Sequence, residues 1–130
     1  MTNTKETLEN YGIVASFDLE SIQGKLKALN AKNGAGASLK DIEDGFSFTV
    51  TDVMQYKETV DTYGKQQEAV VSALFATDGL VYSSISETVS NVVSDLVEIL
   101  KDESIDQVTV KVVKRNSKQG QEFINLSVTA

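Results

Sequence analysis

The pattern of an amphipathic helix is found in the stretch Ser84-Ile-Ser-Glu-Thr-Val-Ser-Asn-Val-Val-Ser-Asp-Leu-Val-Glu-Ile-Leu-Lys101. Its apolar residues recur at alternating steps of three and one, which puts one stripe on a helix: Val89, Val92, Val93, Leu96, Val97 and Leu100. Ser84 with Glu87 has the pattern of a capping box, and Ser86 is a competing N-cap. We therefore predict a helix over residues 87–101 that buries one face.

The segment with the clearest strand pattern lies before this helix. Phe46, Phe48 and Val50 alternate with hydroxyl side chains, the period of two that gives a strand one apolar face. The two phenylalanines are therefore predicted to lie in the core. The alternation becomes ambiguous near Asp52 and Val53, where we predict a β-bulge.

The remaining segments are assigned from shorter patterns. Before the strand at 46–56 we predict an extra edge strand at 12–17, a strand at 24–32, a loop at 33–37 and one helical turn at 38–43 capped by Ser38. Between that strand and the helix we predict a hairpin tip at 57–66, a central strand at 67–76, a turn at Asp78-Gly79 and a strand at 80–83. After the helix we predict strands at 107–115 and 121–128 with a turn between them at 116–120. Residues 1–11 are predicted to be a flexible arm, and 12–130 a single domain.

We count 67–76 and its continuation at 80–83 as one strand with a break. Without the N-terminal extra strand, the order is then three strands (24–32, 46–56 and 67–83), a helix and two strands. This is the chain order of the OB-fold, a five-stranded barrel in which an amphipathic helix closes one open end. The fold class that we predict is therefore mainly β, a five-stranded OB-fold barrel with an N-terminal extra strand or arm.

Composition excludes several classes of function. The chain has 130 residues and no Cys or His. It therefore has no disulfide framework, no thiolate or imidazole metal site, and no His general base. No set of acid, base and nucleophile can be assembled, so we expect no enzyme, no cofactor and no metal. No apolar run is long enough for a membrane span, and the polar N-terminus lacks a signal peptide, so we expect the cytoplasm.

The net charge of -7 hides two basic islands. Residues 24–40 hold four lysines and no acid, and residues 107–121 hold four bases and no acid. The rest of the chain has four bases and all 19 acids. Phosphate binding needs a basic face, so the two islands are either solvated clusters or the lining of one groove.

Three stretches resemble the small single-stranded DNA-binding proteins encoded by phages and mobile elements of Gram-positive bacteria. They are residues 29–42, 77–86 with the following helix, and 110–124. The resemblance implies an OB-fold that binds single strands with little sequence preference and protects them during phage or plasmid replication or transfer. It implies single-stranded DNA as partner in a bacterial host cell, with RNA and self-association along the strand left open.

A binder of single strands needs cations along a groove and aromatic faces on which bases stack. In an OB-fold the groove crosses strands 2 and 3 between two loops, and the islands map onto its flanks. The candidate cations are Lys25, Lys27, Lys32, Lys111, Lys114, Arg115 and Lys118. Arg115 is the only arginine, and its planar group can both bond phosphate and stack.

Three aromatic residues complete the candidate site. Tyr63 sits in a polar tip, Tyr56 is balanced between packing and stacking, and Phe123 has the opposite parity to the apolar residues that follow it. Packing is the stronger interpretation for Phe75 and Tyr82. The alternative function is a protein-interaction module on the same fold, an adaptor or inhibitor of a host protein. Reversing the charges of the second island would separate the two functions.

Overall fold

A computed structural model describes residues 12–32, 37–102, 105–116, 120 and 122–129. Its elements in chain order are β1 (Ile13–Ala15), α1 (Ile22–Lys32), β2 (Ala37–Ser38), β3 (Ser47–Thr62), β4 (Lys65–Ala76), β5 (Val81–Ser84), α2 (Glu87–Lys101), β6 (Val108–Asn116) and β7 (Glu122–Thr129). The chain is mainly β, as predicted. The described part has seven strands and a second helix, more than the sequence led us to expect. Residues 1–11, predicted to be an arm, lie outside it.

The strands form one sheet in the order β2-β5-β4-β3-β6-β7. β3 pairs with β4 along one edge. Its other edge pairs with β6 over Ser47–Val50 and with β1 over Met54–Tyr56. All these pairs are antiparallel, whereas β2 lies parallel to β5. The sheet curls into an open half-barrel. β4 lies between β3 and β5, as predicted for a central strand, and its second half, Val71–Phe75, is buried on both faces.

The predicted bulge is present in β3, where the register with β4 shifts between Val50 and Asp52. A bulge inserts one residue, so the side chains beyond it change face relative to a regular strand. As a result Val50 and Val53 both lie in the core under α2, and both are fully buried. Asp52 is left pointing to the outer face of the sheet, beside Phe75.

Helix α2 covers the inner face of the half-barrel, and its bounds match the predicted helix. Its stripe packs Val89, Val93, Leu96 and Val97 into the main core. The N-cap is Ser86, whose hydroxyl accepts from the Val89 N–H. The predicted capping box at Ser84 is therefore wrong, because the Ser84 hydroxyl accepts instead from the N–H of Ser86.

One polar cluster lies inside this core. Gln55 is 1% exposed, and its Nε2 donates to the Ser90 carbonyl of α2 at 2.8 Å. The same nitrogen lies 3.2 Å from the hydroxyls of Ser72 and Ser90. The buried amide is therefore hydrogen-bonded, which removes the cost of burying it unpaired.

The prediction of a strand at 24–32 is wrong, because these residues form most of α1. The segment has no β-branched residue and is rich in Leu, Lys and Ala, which favour helix. Ser21 begins the helix, since its hydroxyl accepts from the Gly24 N–H at 3.0 Å. α1 covers a second, smaller core on the outer face of the sheet, which includes Met54, Tyr56 and Ala28.

An ion pair ties α1 to the bulge. Lys27 Nζ lies 2.6 Å from Asp52 Oδ2, and it also lies 5.2 Å from the centre of the Phe17 ring. The other carboxylate oxygen of Asp52 accepts from the Ser16 hydroxyl at 3.0 Å. Ser16 in turn accepts from the Val53 N–H at 2.9 Å. The bulge thus joins α1, the end of β1 and β3.

The turns before and after β4 compare differently with their predictions. The hairpin tip predicted at 57–66 is only Tyr63-Gly64, because β3 and β4 continue up to it and Thr62 pairs with Lys65. Both tip residues have positive φ, 53° and 77°, as a tight two-residue hairpin requires. The turn at Asp78-Gly79 is as predicted, and the Asp78 carboxylate accepts from the Leu80 N–H.

The helical turn predicted at 38–43 is a short 3-10 turn at Leu39–Asp41. Ser38 occupies its N-cap position, but its side chain makes no capping hydrogen bond. None of the helices in the described part is long and apolar enough to cross a membrane.

The contact between α1 and the residues before it leaves no room at Gly24. A Cβ there would lie 1.8 Å from the Asp18 carbonyl oxygen. We expect Gly24→Ala to lower the free energy of unfolding by about 1–3 kcal/mol, because the helix must move away to relieve the overlap. Urea denaturation measures this. Gln23→Ala, at the exposed neighbouring position, should change stability by less than about 0.5 kcal/mol. A Gly24→Ala variant as stable as the parent chain would contradict the packing.

Candidate nucleic-acid interface

The second basic island lies largely on the outer face of β6 and β7. Val110 and Val112 of β6 point into the core, so Lys111 and Arg115 point outward, and both are exposed. The register pairs Arg115 with Phe123 and Lys111 with Ser127. The strip continues onto β3, where Ser47 pairs with Lys111. We call this surface the outer strip: Ser47, Lys111, Arg115, Phe123 and Ser127.

Phe123 is the aromatic residue of the outer strip. It is 39% exposed, whereas Leu126 of the same strand is buried and Ile124 packs against the core. The opposite parity found in the sequence is therefore correct. A half-exposed ring across from a guanidinium can accept a stacked base while the cation meets a phosphate.

Lys114 belongs to the same island but not to the same face. Its Nζ donates to the Lys40 carbonyl at 2.8 Å, and its N–H donates to the Asp44 carboxylate at 2.9 Å. Lys114 therefore fastens β6 to the segment that follows β2. This contact brings together one lysine from each basic island.

A hollow of about 330 Å³ lies beside this contact, on the open side of the half-barrel between β5 and β7. We call it the seam hollow, and it is lined by Ser38, Lys40, Ser84, Ile85, Ser86, Glu122, Phe123 and Ile124. Phe123 lines the hollow and also pairs with Arg115 of the outer strip, so the two surfaces meet at this ring. Lys40 was not predicted as a DNA-binding residue, although its place in the first basic island could have indicated it.

The other members of the first island lie on α1, not on a strand beside the groove as predicted. Lys27 is engaged by Asp52. Lys25 and Lys32 are exposed and flank the apolar surface between α1 and β1. Lys32 Nζ lies 5.6 Å from the centre of the Tyr56 ring. The fold therefore divides the first island between α1 and the seam hollow.

Tyr56 lies in the second core, where it is 7% exposed. Burial, followed by the nearby Glu58 carboxylate, raises the pKa of its hydroxyl. Tyr82 is also buried. Its ring stacks on Phe48 with centroids 4.2 Å apart, and its hydroxyl donates to Asp78 at 2.8 Å. Both rings serve packing in this structure, which is one of the two roles considered for each.

Two aromatic side chains are open to solvent outside the strip. Tyr63 is fully exposed at the hairpin tip. Phe46 is 36% exposed, so the prediction that it lies in the core is wrong. It precedes β3, where its carbonyl accepts from the Val112 N–H, and its ring lies 6.3 Å from Tyr82. Phe46 thus stands at the rim of the core. The alternation of Phe46 with Phe48 did not show that β3 begins only at Ser47, one residue after Phe46.

Lys118 lies outside the described residues, as do its neighbours in the turn between β6 and β7. Within the described part, no cluster of Asp and Glu is placed to hold a metal ion. The arrangement that the structure does bring together is an exposed arginine, an exposed lysine and a half-exposed ring on β6 and β7, next to Lys40.

Comparisons with known proteins agree on one family. The model of a family described as phage single-stranded DNA-binding protein matches residues 8–129. Three relatives carry the name single-stranded DNA-binding protein. The one from Bacillus phage PZA is 40% identical over 123 residues, covering 94% of this chain and 99% of the relative. The one from Bacillus phage B103 is 41% identical over 114 residues, covering 88% and 93%. The one from Bacillus phage phi29 is 39% identical over 123 residues, covering 94% and 99%. No solved structure shows a significant match.

The environments of Tyr56 and Tyr82 predict a pH effect. Burial is the main cause that raises the pKa of both hydroxyls above 10.0, followed by the Glu58 carboxylate for Tyr56 and by Asp78 for Tyr82. A group whose pKa is raised on folding stabilises the fold fully below its unfolded pKa. That contribution is lost as the pH rises through the folded pKa. We expect urea midpoints to fall above pH 10.0, with tyrosinate absorbance appearing late for these two residues.

Tyr82→Phe serves as the comparison, because it removes one of the two ionising hydroxyls. Its urea midpoint should fall less over the same alkaline range. Equal slopes for the variant and the parent chain would contradict the raised pKa of Tyr82.

Proposed function

The chain belongs to the phage single-stranded DNA-binding protein family, and from this we propose that it binds single-stranded DNA without marked sequence preference. Its role would be to protect the strand during phage or plasmid replication or transfer, in the cytoplasm of the bacterial host. The relatives are named for binding, and no catalytic family is indicated. The observation that carries the location of the site is the exposed Arg115 across from the half-exposed Phe123.

We propose that the fold is of the OB type. β3, β4 and β5 form a meander, α2 follows, and β6 returns to pair with β3 before β7. This order matches the OB-fold when β3, not residues 24–32, is taken as its first strand. β1, α1 and β2 are then additions before the barrel. The assignment is supported by connectivity and by α2, which packs against the inner face of the sheet.

The OB assignment points to two loops. In that fold the loops after strands 1 and 4 contact the ligand. Here these are the Tyr63-Gly64 turn and the connection from Asn116 to Glu122. The first carries a fully exposed tyrosine, and the second is flanked by Arg115 and Phe123. Both aromatic residues that we infer to stack are therefore at positions where an OB-fold binds.

Helix α1 limits the path of the strand. It covers the outer face of β3 and β4 around Met54 and Tyr56. We therefore place the DNA on the part of the outer face that α1 leaves uncovered. It runs along the outer strip and past the seam hollow, with Lys111, Arg115 and Lys40 near the phosphates. Cations neutralise phosphates and release counterions there, and ring faces hold the bases.

Salt dependence tests the electrostatic part of this proposal. We expect the affinity for a labelled oligo-dT of about 30 nucleotides to fall steeply between about 50 and 200 mM salt in fluorescence anisotropy. Arg115→Ala and Lys111→Ala should each reduce the salt slope by about 1, because each removes one phosphate contact. Lys101→Ala, at the exposed end of α2, is the matched control. No binding at low salt, or an unchanged slope in both variants, would contradict the site.

Stacking can be measured directly, because the chain has no tryptophan. We expect Phe123→Trp and Tyr63→Trp to report oligo-dT binding as quenching of a single indole, since a stacked base lies against the ring. Leu80→Trp, at another exposed apolar position, should show little change. Phe123→Ala should weaken binding by about 1–3 kcal/mol. Equal signals from all three tryptophan variants would exclude specific stacking at the two sites.

A further inference from the structure

The seam hollow has apolar walls and polar groups in one small space. Ile85, Phe123 and Ile124 supply the walls, and Ile85 is 61% exposed. The volume of about 330 Å³ lies at the lower end of the range for small-molecule sites, which is room for one group such as a base. A nucleobase has the same mixed chemistry, with two apolar faces and a hydrogen-bonding edge.

The polar groups of the hollow have different hydrogen-bonding roles. Glu122 is exposed at the start of β7 and shares a side of that strand with Ile124. Its carboxylate only accepts hydrogen bonds. The Ser84 hydroxyl accepts from the Ser86 N–H at 3.0 Å and still carries one hydrogen to donate. The Ser38 hydroxyl makes no capping hydrogen bond and supplies a second donor. One acceptor and two donors therefore border the same hollow.

The position of Phe123 connects the hollow with the outer strip. Its ring belongs to both surfaces, so a base stacked on it has an edge beside the hollow. A phosphate is a poor occupant, because the Glu122 carboxylate repels it. Lys40 also lines the hollow, and its charge suits the phosphate that remains outside. The chemistry of the hollow therefore favours a base over a phosphate.

We propose that the seam hollow is a base subsite, in which Glu122 accepts a hydrogen bond from the amino group of cytosine. This inference rests on the proposed function. The cytosine edge presents the N4 amino donor beside the acceptors N3 and O2, which complements a carboxylate beside hydroxyl donors. Thymine carries the acceptor O4 in place of the amino group, so its oxygen would face the carboxylate.

The subsite favours cytosine over thymine at one nucleotide of the bound strand. The other nucleotides are held through phosphates and stacking, which every sequence offers. The preference is therefore modest, and it is compatible with binding to any single strand.

Fluorescence anisotropy with labelled oligo-dC and oligo-dT of about 12 nucleotides tests the subsite. In Glu122→Gln we expect the ratio of dC affinity to dT affinity to fall by about fivefold, because the amide nitrogen donates to thymine O4. The ratio is the readout because the lost negative charge raises the affinity for both oligonucleotides alike. Glu20→Gln removes another exposed carboxylate, before α1, and should leave the ratio unchanged.

A modified base tests the hydrogen bond itself. Pyrimidin-2-one is cytosine without its amino group, so an oligonucleotide of this base should bind the parent chain more weakly than oligo-dC. Glu122→Ala removes the acceptor and should bind the two oligonucleotides equally. A parent chain that does not distinguish them overturns the role of Glu122.

The outcomes separate this inference from the proposed function. If the parent chain binds both oligonucleotides and the ratio is the same in Glu122→Gln, the subsite is overturned and the proposed function stands. If the parent chain binds neither at low salt, both are overturned. Arg115→Ala acts on the phosphates, so it should weaken oligo-dC and oligo-dT by the same factor and leave the ratio unchanged.

Discussion

The extra residue in β3 between Val50 and Asp52 sets the geometry of the whole molecule. Before it, β3 pairs with β6, and after it the same edge pairs with β1. Because the bulge changes which face each side chain takes, both halves of β3 keep valines in the core under α2. It also turns the Asp52 carboxylate outward, where Lys27 and Ser16 bind it. The bulge thus supplies the carboxylate that binds α1, in addition to the packing of α1 on the second core.

The bulge also separates two surfaces with different chemistry. On the side of β6 and β7 the outer face is polar and basic, and it carries the ring of Phe123. On the side of β1 it is covered by α1, whose own outer surface is apolar. The acidic remainder of the chain repels phosphate, so a small number of cations in the right place governs where a strand can lie. The net charge of -7 therefore does not predict the local charge of this surface.

The sequence predicted the elements whose burial follows their period. α2 and the first half of β3 each bury the residues that their pattern marks as apolar, and the ambiguity at Asp52 is itself the signature of the bulge. α1 was mistaken for a strand because its large apolar residues face solvent and its packed face is made of small ones. Ile22, Leu26 and Leu29 do recur at helical spacing, but the predicted strand begins at residue 24, so Ile22 was not counted with the two leucines. The hairpin tip was predicted too long, at 57–66, because the outer part of the hairpin is exposed and charged and is paired through the backbone.

Part of the candidate site could be derived in the same way. The outward position of Phe123 follows from strand parity, and Arg115 and Lys111 follow from the valines that alternate with them. The hydrogen bond from Lys114 to the Lys40 carbonyl joins residues 74 positions apart, so no local sequence pattern could predict it. The burial of Tyr56 depends on the second core that α1 creates. A stripe of valines and leucines can slide along a sheet by a turn with little loss of apolar contact. The Gln55 amide prevents that slip, because any other position of α2 would leave its hydrogen atoms facing hydrocarbon. The hydrogen bond from Gln55 to Ser90 therefore fixes one position of α2 along the sheet, which apolar contacts alone would not specify.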